Sequence, residues 1–132
     1  MMPRMAPLVA ILLLITACQP MPTVPQRVLQ PDALKIHLAL AHAYLDSGLI
    51  SQAEQIALQI SQNRSLDASL AGLWARLAIA RGETARAEQL MEHWAGNDLA
   101  IAHQWGAYLV AEQRYRDALV PLARVRVGYA YA

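Results

Sequence analysis

The chain returns on itself at a fixed distance. Leu40, Ala41, Tyr44, Gly48 and Ala53 come back 34 residues later as Trp74, Ala75, Ala78, Gly82 and Ala87, with the glycine and the last alanine unchanged. A return of that length means that each unit is one supersecondary element, burying its apolar side against its neighbours. A third, partial copy starts at Trp105-Gly106 and continues through Leu109, Gln113 at the turn position and Ala118, with Tyr115 ahead of that alanine. It follows the second copy by 31 residues, so the loop at Gly96 to Asp98 is expected to be the shorter one. From Asp32 onward Ala and Leu dominate, Phe is absent, and apolar residues recur with helical rather than alternating spacing, which predicts an all-α domain. Turn signals at Asp46-Ser47-Gly48, Arg81-Gly82-Glu83 and Ala95-Gly96-Asn97-Asp98 divide it into helix, short turn, helix. Ser51 and Glu54 are spaced as a capping box opening one helix, and Pro121, inside the last, removes a backbone donor and is expected to kink it.

An apolar and small pair, a packing residue three on, Gly at the turn and Ala at the helix crossing resemble the tetratricopeptide repeat, whose period is ~34 residues. The resemblance covers Asp32 to Val127 and implies a helical-hairpin (TPR) solenoid of about three repeats, with 128–132 as a C-terminal tail. The family's usual aromatic late in the second helix is Ala57 in the first copy and Met91 in the second, and no repeat ends in proline; Trp94 and Trp105 are expected to compensate. The resemblance further implies that the first helix of each hairpin lines a concave groove. Carried over residue by residue, that face is Lys35, Leu38, His42, Leu45 and Asp46, then Ser69, Gly72, Arg76 and Ile79, then Ala100, His103, Ala107 and Val110. It is mostly small and apolar, and suits an amphipathic helix or short hydrophobic peptide, with Lys35, His42, Asp46 and Arg76 as polar fixtures.

Ahead of the repeats, Arg4, the apolar run Leu8 to Ile15 and the small residues Thr16 and Ala17 have the anatomy of a signal peptide over 1–17. The run is far shorter than the ~20 residues a membrane-crossing helix needs. Ile15-Thr16-Ala17-Cys18 resembles the lipobox of bacterial lipoproteins, with Ile15 where the family prefers Leu. The resemblance implies cleavage before Cys18, acylation of the thiol and, since Gln19 is not Asp, sorting to the outer membrane with the domain facing the periplasm. Residues 18–31 then form a lipidated, Pro-rich tether. With Pro20, Pro22, Pro25 and Pro31 in the thirteen residues from Gln19, it is a semi-rigid spacer of up to about 40 Å at ~3.1 Å per residue.

The residues announce no chemistry. Cys18 is the sole cysteine, so no disulfide is expected within the domain. Removing Arg4 leaves 10 Lys plus Arg against 10 Asp plus Glu, and a neutral chain gives nucleic-acid binding no electrostatic support. His37, His42, His93 and His103 form no pair at zinc-ligand spacing, and there is no Gly-rich phosphate loop or serine elbow. No catalysis, cofactor or metal is expected. Arg114, Arg116, Arg124 and Arg126 gather near the last helix, and no acid follows Asp117. Val120, Leu122, Val125 and the terminal tyrosines are expected to form an uncapped, sticky end open to a partner or a homodimer, since a terminal repeat needs a polar cap. The expected function is a non-catalytic, outer-membrane-anchored scaffold whose groove binds an envelope protein. Lipobox, tether and few repeats are similar to small tetratricopeptide lipoproteins acting as secretin pilotins or pilus assembly factors. An adaptor recruiting peptidoglycan-modifying enzymes is the alternative.

Overall fold

The computed structural model describes residues 31–130, with Tyr129 and Ala130 described in backbone only. Cys18, the signal segment and the tether as far as Gln30 lie outside the described residues, as do Tyr131 and Ala132. Six helices follow one another with no strand among the described residues: α1 (Pro31–Asp46), α2 (Ile50–Gln62), α3 (Ala68–Ala80), α4 (Thr84–Ala95), α5 (Leu99–Ala111) and α6 (Tyr115–Ala130). None is long and apolar enough to cross a membrane. Pro31 sits at the first position of α1, where a missing amide costs nothing and a fixed φ helps.

The helices pair as α1 with α2, α3 with α4 and α5 with α6, and each pair packs on the next. All three pairs are closed by the same turn. Gly48 (φ 75°), Gly82 (φ 76°) and Gln113 (φ 61°) take the left-handed conformation. Around them the hydrogen bonds repeat: Leu49 N–H to Tyr44 O, Glu83 N–H to Ala78 O and Arg114 N–H to Leu109 O, each 2.8 Å, bracket Gly48 N–H to Leu45 O, Gly82 N–H to Ile79 O and Gln113 N–H to Val110 O, each 3.0 Å. These are Schellman closures, which satisfy the last carbonyls of the first helix while reversing the chain. The turn hands the chain directly into the second helix, so α2 begins at Ile50 with Leu49 at its N-cap and no side-chain cap. The capping box expected from Ser51 and Glu54 is therefore absent: Ser51 is already inside the first turn, and Glu54 pairs with Arg81 instead.

Side-chain caps appear where the chain enters a first helix. Asp67 accepts from Leu70 N–H (3.0 Å) and Asp98 from Ile101 N–H (2.9 Å). Partial burial works against charge on Asp67, but the Leu70 amide and the Arg64 guanidinium outweigh it and hold the carboxyl below the usual carboxylate range. The inter-hairpin loop spans residues 63–67 in one case and 96–98 in the other, and α4 is one residue shorter than α2. Together these account for the drop from 34 to 31.

Where the helices of each hairpin cross, Ala53, Ala87 and Ala118 are buried to within 2%. A second crossing position trades volume: Ala41 goes with Ala57, Ala75 with Met91, and Gly106 with Leu122. In the third hairpin the helices are so close that a β-carbon on Gly106 would fall 2.5 Å from Leu122. The core has two parts that meet at α3. Leu70, Leu73 and Leu77 face Leu34, Ala41, Ile56 and Ile60 of the first hairpin, while Ala71, Ala75 and Ala78 face Ala87, Met91, Ile101 and Ala102. Small residues on that second face let α4 and α5 approach closely.

One expectation about the C-terminal end fails. α6 is one helix that includes Pro121 and ends at Ala130, three residues past Val127, and Gly128 lets it pass close against Leu99. Val125 is buried with Ala95 and Ala102, and Leu122 packs on Gly106, so neither belongs to an outer face. Of that set Val120 alone, among residues with described side chains, is exposed.

Candidate functional site: the shared face of the first helices

α1, α3 and α5 lie side by side and parallel, because equivalent positions meet. Arg76 on α3 reaches His42 on α1, 34 residues earlier, and the Gln104 amide on α5 donates to the Gly72 carbonyl on α3, 32 residues earlier (3.2 Å). The Arg76 guanidinium donates to His42 Nδ1 at 2.7 Å and to Asp46 Oδ1 at 2.5 Å. An arginine has no lone pair to offer, so Nδ1 must accept, and the His42 ring is neutral with its proton on Nε2. Burial, reinforced by the Arg76 charge and opposed by Asp46, lowers the pKa of His42 below its ordinary 6.5.

Beside this triad lies a cavity of about 270 Å³ lined by Leu38, His42, Ala68, Ser69, Gly72, Asp98, Ala100, Ile101 and Gln104. That is below the ~300–1,000 Å³ of small-molecule sites and fits one or two side chains of a peptide. Gly72 forms the floor, since a β-carbon there would already stand 3.2 Å from Gln104 Oε1.

The sequence-derived face divides three ways. Leu38, His42, Ser69, Gly72 and Ala100 converge on the cavity, and Arg76 and Asp46 join it through His42. Leu45 and Ile79 are half-buried and pack against the two core clusters, so they serve the fold more than the groove. Lys35, His103, Ala107 and Val110 are exposed on α1 and α5 away from the cavity. Sequence reasoning missed Ala68, Asp98, Ile101 and Gln104. Gln104 was findable, being four residues after Ala100 and so on the same side of α5.

Among the described residues no three His, Cys, Asp or Glu side chains gather as a metal site. No buried side-chain polar atom among them lacks a hydrogen-bond partner. The face offers a small cavity beside one partly exposed ion pair. No protein-family model matches the chain, no curated protein matches it, and no solved structure does either.

Proposed function

We propose that this chain is a tetratricopeptide-type binding scaffold, anchored to the outer membrane through a lipid on Cys18, that holds a segment of an envelope protein on the face formed by α1, α3 and α5. The observation that carries the reading is the threefold recurrence of one closure, a left-handed residue at 48, 82 and 113 within the same pair of hydrogen bonds, with the crossing alanines at 53, 87 and 118. Repeats of that kind align their first helices and bind through the face so formed. The cavity beside Gly72 would take an apolar side chain of the bound segment, and the exposed edge of the Arg76–Asp46 pair would fix its polar backbone or an acidic neighbour. A subunit of a secretin channel or a pilus component is the partner class proposed, by likeness of architecture alone.

The test is co-isolation from gently solubilised envelopes, comparing wild type with Ala100→Glu, which charges an exposed residue at the cavity rim. Leu45→Asp is unsuitable, since Leu45 packs on the core. A secretin or pilus protein recovered with wild type and lost with the variant supports the reading. Recovery of a peptidoglycan enzyme would replace the partner class, and a partner held equally by both would overturn the groove. Cys18→Ala is expected to abolish membrane attachment while leaving partner affinity intact.

A further inference from the structure

Two helix faces are apolar and bare, at opposite ends of the array. On α1, Ile36 is 67% exposed, and Leu40 is exposed as well. The repeat says what such residues do elsewhere: at 34 residues on stand Leu70 and Trp74, and 31 further on stand Ile101 and Trp105. Leu70 and Ile101 are buried. Trp74 donates its indole N–H to Ser61 on α2 (3.2 Å), and Trp105 shares a cavity wall with Glu88 and Glu92 of α4. In α3 and α5, therefore, this face packs on the second helix of the preceding hairpin. α1 carries the same apolar pair with no such helix among the described residues.

On α6, Leu119 is 67% and Val127 57% exposed, and Ala123 between them is exposed too. The corresponding residues are Glu88 and Glu92 on α4 with Gly96 just past its end, and Glu54, Leu58 and Gln62 on α2; of these Glu54 and Glu88, the counterparts of Leu119, are half-buried and the others exposed. Glu54 pairs with Arg81 at the end of α3, and Glu88 with Arg114 just beyond α5 (2.9 Å). The position that reaches out to the following hairpin is a carboxylate twice and a leucine the third time.

We infer that α6 of one copy receives α1 of another, head to tail, so that the packing of α3 on α2 and of α5 on α4 recurs between chains. Charge agrees with that arrangement. Laid on α6 as α5 lies on α4, α1 brings its first turn, with Asp32, to the C-terminal half of α6, where Arg124 and Arg126 stand without an ion pair among the described residues. Two α6 helices face to face would instead set Arg116, Arg124 and Arg126 against their own copies, and the one acid on α6, Asp117, is already held by Arg114. Such a contact is heterologous, unlike a symmetric homodimer through the C-terminal end, and builds an open series unless its rotation closes a ring.

The experiment is sedimentation of the full chain in density-matched detergent, with micelles in excess, across the micromolar range. Wild type is expected to grow with concentration beyond a dimer. Ile36→Asp and Leu119→Asp each charge one exposed face, and each is expected to be monomeric alone. Mixed, they are expected to form a one-to-one dimer and stop, because each retains the face the other lost. A wild type that stays monomeric overturns the inference. So does self-association of Ile36→Asp alone, the signature of α6 pairing with α6, and so does failure of the mixture to associate.

Discussion

Replacing Gln113 by glycine is expected to stabilise the protein, although it removes a side chain. Gln113 sits at φ 61° in a turn whose two counterparts are glycines at 75° and 76°. An L-residue in that conformation crowds its β-carbon against the following carbonyl, at roughly 1–2 kcal/mol. Glycine returns that strain but loses more backbone freedom on folding, at about 0.5–1 kcal/mol. Gln113 is exposed, so its side chain gives up little burial. The net gain is about 0.5–1 kcal/mol, which in a domain of this size raises the melting temperature by roughly 2–8 °C. Urea unfolding followed by circular dichroism is the assay, with the midpoint moving up at constant m. Gly82→Gln is the mirror experiment and is expected to lose stability by a similar amount. If Gln113→Gly lowers the midpoint while Gly82→Gln also lowers it, left-handed strain is not what distinguishes the third turn, and the reasoning fails.

Other perturbations probe the packing and the groove. Gly106→Ala drives a methyl into Leu122 and is expected to cost about 1–3 kcal/mol, read as a lower urea midpoint; adding Leu122→Ala should recover part of it. Because His42 is held below its ordinary 6.5, the unfolded chain takes up a proton that the native state resists, so stability falls as pH drops through 6.5 toward the native value and is flat above it. His42→Gln keeps an acceptor for Arg76 and is expected to remove that slope, seen as a stability profile that no longer falls as pH drops below 6.5 on account of this residue. Arg76→Ala breaks an ion pair whose partners are 34% and 67% exposed, so its stability cost is expected to stay within about 1 kcal/mol while partner recovery falls. A large stability loss with unchanged recovery would make the triad structural.

The hairpins were legible because turns are local. Gly48 and Gly82 mark left-handed closures by residue type, and Gln113 was found by spacing alone, since nothing about glutamine announces that conformation. Ser51 and Glu54 misled for the converse reason: their spacing is common on any helix, and the Schellman closure had already made a side-chain cap unnecessary. The phase of α6 was misjudged at Leu122 and Val125 because its apolar residues run nearly all the way round. Only alignment with Met91 and Trp94, their counterparts on α4, assigns the buried side. Half of the groove was visible as a stripe on α1, α3 and α5. How Leu45 and Ile79 divide between core and surface depends on the angle between neighbouring helices, which sequence spacing does not encode.

The two-sided burial of α3 bears on how the chain comes apart. Leucines on one flank and alanines on the other make it the one element shared by both core clusters. In a linear array of weakly coupled units, the ends open first and the shared element last. Amide protons of α3 are thus expected to be the slowest to exchange, with the outer hairpins fraying before the centre opens. A change at Leu73 is therefore felt first by the first hairpin and a change at Ala75 by the second and third, so that paired substitutions on the two flanks of α3 are expected to loosen the whole array.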